Sequence, residues 1–206
     1  MEASREIVGE DAKPVVLNLG CGYKKFVGGT NVDGFSACEP DVLWDLNKTP
    51  YPWDDDSVDE IYAYHVMEHL PNWWGAFSEC ARILKPGGKI EIRVPDPSSD
   101  TAIVYRDHVH VIGLFSFDGI ANRQGGRTLN AWAATQDIVP VILVRYARVP
   151  FKEYNWMPVW LLKFLGKHYR NYIWEQRFLF TKVKVDDWSK VKVEGHPKTE
   201  YLKLMT

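Results

Sequence analysis

A short apolar run, Val15-Val16-Leu17-Asn18-Leu19, stops abruptly on Gly20-Cys21-Gly22, and this pairing constrains the fold more than any other feature of the chain. A strand so short and so apolar is buried on both faces, as in the parallel sheet of an α/β protein. Two glycines directly after it permit a sharp turn and a close approach of backbone to ligand, because neither carries a Cβ. By itself Gly-x-Gly is common to many tight turns. Its meaning depends on its companions.

The next eighty or so residues repeat the pattern. Thr30-Asn31-Val32-Asp33 reads as a second strand ending on a carboxylate, and Val42-Leu43-Trp44 as a third ending at Asp45. Pro50, Pro52 and the acidic run Asp54–Asp56 mark a loop. Val58–Tyr64 and Lys89–Val94 predict two further strands with a helix between them. Asn72 is placed to cap that helix, and Trp73, Phe77, Cys80, Ala81 and Leu84 recur at helical spacing. Lys85-Pro86-Gly87-Gly88 stops it. The alternation predicts a Rossmann-like, doubly wound α/β domain with a mainly parallel sheet of about seven strands. Its ligand site should lie at the carboxyl ends of the strands.

Beyond Pro97 the pattern loosens. Residues 99–136 predict helices and a turn at Gly125-Gly126, and 138–144 fit either a strand or a buried helix. Residues 156–172 are aromatic, basic and partly helical in pattern; 173–185 and 191–193 predict antiparallel closing strands. The expected organisation is a polar segment, 1–13, followed by one domain, 14–206. Within it, 14–97 form a cofactor-binding half and 98–206 an acceptor-side elaboration.

Bulk properties narrow the classes. The chain is 46% hydrophobic, which suits an ordinary globular core, and no apolar run reaches the 18 residues of a membrane span. The first thirteen residues lack the apolar centre of a secretion signal, so the expected location is cytoplasmic. Three cysteines without a Cys-x-x-Cys pair argue against a disulfide framework or a cysteine zinc site. The net charge of −2 conceals an asymmetry, with residues 1–100 at −9 (9 basic, 18 acidic) and residues 101–206 at +7 (16 basic, 9 acidic).

Asp33 follows Gly22 by eleven residues, where a carboxylate can accept hydrogen bonds from both hydroxyls of a ribose, and Asp45 is placed to reach an adenine amine. A nicotinamide dinucleotide site would need a third glycine where Lys25 stands and an acid about 20 residues along. The spacing suits a nucleoside with a short tail instead.

These stretches together (VVLNLGCG, the acidic end of TNVD, WDLNKTPYPWDDDSVDEIYAYHVMEHL and ECARILKPGGKIEIRVPD) resemble the class I S-adenosylmethionine-dependent methyltransferases, and within them the type 11 group. The resemblance implies that Asn18, Leu19, Gly20, Cys21 and Gly22 wrap the amino-acid half of S-adenosyl-L-methionine. It further implies that Asp33 with Gly34 holds the ribose, that Asp45 and the Leu46 backbone read the adenine, and that Tyr64 and His65 lie beside the methyl group. Two departures stand out. Asn18 occupies a position that is acidic in the family pattern, and Tyr23–Gly29 is too short for the family's first crossover helix. The shortened form is similar to a subgroup often associated with polysaccharide biosynthesis, which points to a small-molecule or saccharide acceptor.

By position, His65, Glu68, His69 and Asp96 are the candidate bases for removing a proton from an acceptor, although His65 can equally contact the cofactor or cap a strand, and Glu68 and His69 can anchor a turn. None is unambiguous, so a non-catalytic S-adenosylmethionine-binding regulatory or scaffold protein is the rival reading. His65-Val66-Met67-Glu68-His69 also matches His-x-x-Glu-His, the inverted zinc-protease signature. That chemistry needs both histidines on one face of a continuous helix, whereas here the motif follows directly on a strand and Pro71 interrupts soon after. No metal ligand is assigned. His108 and His110 read as surface or turn residues.

Between 145 and 188 aromatic and basic residues interleave, including Trp156, Trp160, Lys163, Phe164, Lys167 and Tyr169. Three readings stay open: packing on the sheet or across a homodimer interface, an acceptor pocket, or an amphipathic helix in peripheral contact with a membrane. The near-neutral whole chain lacks the basic footprint of nucleic-acid binding.

Overall fold

A computed structural model describes residues 13–117, 138–148, 158–171, 173–182 and 198–204. Their strands are β1 (Val16–Leu19), β2 (Thr30–Asp33), β3 (Val42–Leu43), β4 (Val58–Tyr64), β5 (Leu84–Pro95), β6 (Ile138–Arg148), β7 (Ile173–Lys182) and β8 (Lys198–Leu204). They form one sheet in the order β3-β2-β1-β4-β5-β7-β6-β8. The register is parallel from β3 through β5, and β7 runs antiparallel to both β5 and β6. The Rossmann-like architecture therefore stands, with eight strands rather than about seven.

The ambiguous 138–144 run is strand, within β6. The closing edge differs from expectation: β8 pairs parallel with β6, while residues 191–193 and the Gly125-Gly126 turn lie outside the described residues. So do most of the polar N-terminal segment and the tail residues 149–157.

Helix α1 (Trp73–Ile83) covers one face of the sheet. Its start is set by Asn72, whose Oδ1 accepts the Gly75 N–H at 3.3 Å. Ala76, Phe77, Cys80, Ala81 and Ile83 are buried. The Phe77 ring packs on Phe180 at 5.2 Å and Phe117 at 5.4 Å, and Phe117 reaches Phe178 at 4.8 Å. Leu84, expected on the helix, is instead the first residue of β5, because it pairs with Val58. Lys85–Gly88 then forms an irregularity within the strand rather than a separate loop. The remaining described α-helices are α2 (Thr101–Val104) and α3 (Val159–His168), the latter exposing Trp160 and Phe164. No described helix is long and apolar enough to cross a membrane.

The opposite face carries a polar and aromatic layer. Glu91, only 5% exposed, accepts hydrogen bonds from the Tyr64 hydroxyl (2.7 Å), Arg93 Nε (2.9 Å) and the Arg177 guanidinium. Arg93 also lies 4.1 Å over the Tyr64 ring, and Phe26 from the first crossover packs edge-on against Tyr62 and Tyr64. Burial would raise the Glu91 carboxyl, but the bonds from Arg177, Tyr64 and Arg93 outweigh it and hold the group below the usual carboxylate range. A carboxyl depressed on folding stabilises above its unfolded pKa, and the contribution fades as pH falls through the folded value. Glu91→Gln should therefore lower the unfolding free energy by about 2–4 kcal/mol at neutral pH, with the gap from wild type closing in acid. Urea titrations at several pH values would measure it.

Candidate active site

The glycine turn leaves β1 at the carboxyl edge of the sheet. Gly20 and Gly22 both adopt left-handed conformations, with φ of 63° and 49°. At Gly20 an added Cβ would lie 2.3 Å from Val66 Cγ2, so the turn packs directly on the segment that follows β4. At Gly22 the same construction meets nothing within 4 Å, which leaves open space over the loop. Gly20→Ala thus combines a disfavoured backbone with a steric clash. It should cost about 2–4 kcal/mol of stability, read as a lowered thermal midpoint.

Asp33 ends β2 and joins the turn. Its Oδ2 accepts the Gly22 N–H at 2.9 Å and its Oδ1 accepts the Phe35 N–H at 2.8 Å. Each carboxylate oxygen keeps a further lone pair, so two vicinal hydroxyls can still donate to it. Gly34 has only ordinary contact distances around an added Cβ, the shortest being 3.5 Å to the Trp44 carbonyl. Asp45 is exposed; its Oδ1 accepts the Asn47 N–H at 3.0 Å, which shapes the loop after β3, while Leu46 is buried beside it.

Asn18 has a use that the sequence did not disclose. It is 3% exposed, and its Nδ2 donates to the Lys24 carbonyl and to Asn31 Oδ1, both at 3.0 Å. Asn31 Oδ1 also accepts the Phe26 N–H at 2.7 Å, and Asn31 donates through its backbone and side chain to Asp41 Oδ2, both at 2.7 Å. These amides satisfy the backbone of a crossover too short for a helix.

At the end of β4, His65 is left-handed (φ 52°) and bridges two carboxylates. Its Nε2 lies 2.7 Å from Glu175 Oε2 and its Nδ1 3.3 Å from Glu68 Oε1. Burial alone would lower the imidazole, but the two carboxylates outweigh it and push it up to about 9. Met67–His69 is a single 3-10 turn, so His65 and His69 do not share the helical face that an inverted zinc-protease site requires. Asp96 is fully buried, accepting Ser98 N–H (2.8 Å), Ser98 hydroxyl (2.6 Å) and Gln176 Nε2 (2.8 Å). It shapes the turn after β5. The Tyr64 hydroxyl is engaged by Glu91.

A cavity of about 100 Å³ opens at these strand ends, lined by His65, Glu68, Pro95, Thr101, Tyr105, His108 and Trp174. Sequence reasoning missed Glu175 and Gln176, which the antiparallel pairing places opposite Pro95 and Val94. Their one visible signal is the polar run Glu175-Gln176-Arg177 between apolar residues of the strand. It missed His108 as a neighbour of His69 too: the rings meet edge-on at 4.7 Å.

Comparison with known proteins agrees with this geometry. Residues 37–92 match the methyltransferase domain family Methyltransf_11. The chain is 34% identical over 98 residues to sterol 24-C-methyltransferase ERG6B of Gibberella zeae, covering 35% of this chain and 25% of that protein. It is 32% identical over 100 residues to methyltransferase GfsG of Streptomyces halstedii, covering 37% of this chain and 36% of that one. The matches thus span about a quarter to a third of those curated relatives.

Among solved structures, a SAM-dependent methyltransferase from Archaeoglobus fulgidus superposes with a TM-score of 0.57 at 14% identity, covering 82% of this chain and 86% of that one. Phosphoethanolamine N-methyltransferase 2 of Haemonchus contortus, in complex with S-adenosyl-L-methionine, gives 0.53 at 15% identity, covering 85% and 50%. The likeness to these structures is one of fold, and the glycine turn and the Asp33 carboxylate stand at the carboxyl ends of its parallel strands. The open space over Gly22 beside Asp33 leaves room for a ligand at this turn.

Proposed function

We propose that the chain transfers a methyl group from S-adenosyl-L-methionine to a small-molecule acceptor of saccharide type, bound in the cavity at the ends of β4 and β5. The observation that carries the reading is the position of this cavity, where ligands of open α/β sheets bind, with Tyr105 and Trp174 among its walls. Two rings in a largely apolar lining suit the flat face of a sugar-like ring.

In this reading Gly20–Gly22 and Asn18–Leu19 hold the donor's amino-acid half through backbone, Asp33 with Gly34 its ribose, and Asp45 with Leu46 its adenine. The donor supplies an electrophilic methyl carbon on a sulfonium. The chain supplies alignment and exclusion of water, which carry much of the rate in a direct displacement. His65, held between Glu68 and Glu175, fixes the wall of the cavity. Asp96, buried and held by Ser98 and Gln176, serves the frame in this reading.

Calorimetry with S-adenosyl-L-methionine and its demethylated product tests the donor, and methyl incorporation into fractionated cell extract tests the acceptor. Micromolar donor binding with label in a glycan or small-molecule fraction is expected. No binding of either ligand would overturn the donor reading, and tight binding with persistent silence would replace catalysis by a regulatory or scaffold role.

A further inference from the structure

We propose that Glu68, His69 and His108 form a site for one divalent first-row transition-metal ion, with Zn2+ as the type ion, between the turn after β4 and the loop after α2. One ligand atom from each residue falls within 4.8 Å of the other two. Tetrahedral coordination at about 2.0–2.1 Å separates ligand atoms by about 3.4 Å, so modest side-chain rotations close the triangle.

Glu68 carries the argument. It is 1% exposed, and neither carboxylate oxygen makes a hydrogen bond. Its recorded ionic contact is through Oε1, to His65 Nδ1 at 3.3 Å. That contact leaves the buried Oε2 without a partner, and a metal ion beside this second oxygen would supply one. His108 makes an independent contribution, because its Nδ1 is buried and has no hydrogen-bond partner.

His69 is already oriented as a ligand. Its Nδ1 lies 3.0 Å from the Asp107 carbonyl and 3.3 Å from Asp107 Oδ2. Those contacts draw the proton to Nδ1 and leave the Nε2 lone pair for a metal, the usual arrangement of a carboxylate behind a ligating imidazole. The backbone holds the two segments together without an ion. Val109 and His110 N–H groups both donate to the Glu68 carbonyl, at 2.9 and 3.1 Å. An edge-on pair of imidazoles would explain the packing of His69 on His108, but it leaves Glu68 Oε2 and His108 Nδ1 without partners.

One carboxylate and two imidazoles favour zinc, cobalt, nickel or iron over calcium and magnesium, which prefer oxygen throughout. Glu68 and His108 also line the cavity, so a coordination position on that side is within reach of a water or an acceptor oxygen. The site does not depend on the donor reading, because Gly20–Gly22, Asp33 and Asp45 take no part in it.

The test uses the full chain stripped with chelator and titrated without donor, with Zn2+ by calorimetry and Co2+ by visible absorption. One equivalent of each is expected, with ligand-field bands of a four- or five-coordinate cobalt centre. His108→Asn should weaken Zn2+ about 100-fold and Asp107→Asn about 10-fold. Glu68→Gln may be compared only if circular dichroism matches wild type, whereas half-buried His108 is replaceable without disturbing the core. Absence of saturable 1:1 binding below about 100 μM, or unchanged affinity in His108→Asn, overturns the site. Donor titration of the same samples fails or succeeds separately.

Discussion

Asn18→Asp is expected to lower the unfolding free energy by about 3–5 kcal/mol, although it restores the acid that the family pattern carries at this position. The amide nitrogen donates to two acceptors, the Lys24 carbonyl and Asn31 Oδ1, from a side chain that is 3% exposed. A carboxylate has no proton to donate, so the substitution deletes two hydrogen bonds and sets a buried charge against two oxygens. Asn31 cannot turn its amide to compensate, since its oxygen also serves Phe26 and its nitrogen also serves Asp41. Asn18→Ala leaves the same acceptors unpaired but adds no charge, and should cost only about 1–3 kcal/mol. Guanidinium titrations of the three proteins would rank them. Equal stability of Asn18→Asp and wild type would mean that the first crossover is held by something other than this network.

Asp33→Ala should weaken S-adenosyl-L-methionine binding by about 100-fold or more, the largest effect foreseen for any single change at the donor site. Two hydrogen bonds to a charged acceptor contribute about 1.5–3 kcal/mol each, and both ribose hydroxyls would lose their partner. The Gly22 and Phe35 N–H groups would lose theirs as well, which loosens the glycine turn. Because Phe35 and Gly34 are exposed, water can replace part of that loss, and the fold should survive. The informative measurement pairs calorimetric affinity with the thermal midpoint. A large drop in midpoint with donor affinity intact would assign Asp33 to the turn alone.

Much of the cofactor half was legible from residue order because its elements are local. The apolar strands, the Asn72 cap, the glycine turn and the carboxylate ending β2 each follow from short-range pattern and backbone conformation, whereas β3 stops at Leu43 and leaves Asp45 in the loop beyond it. The outer half was less so. Residues 138–144 could not be assigned until their pairing with β7 was known, and a parallel edge strand at 198–204 leaves no periodic mark that distinguishes it from an antiparallel one.

The glycine turn and the Asp33 carboxylate, on which the proposed donor site rests, were determined by sequence alone, since a turn that demands left-handed glycines and a strand that ends on a carboxylate are written within about twenty residues. The partners of His65, Glu68, Asp96 and Asn18 were decided only by tertiary structure. His65 meets Glu175 across 110 residues, Asp96 meets Gln176 across 80, and Asn18 meets Asn31 across a crossover whose path is irregular. The physical reason is that a hydrogen bond or a shared proton depends on distances of a few tenths of an ångström. Spacing along the chain fixes such distances within one strand or turn, whereas between strands they are set by register and packing.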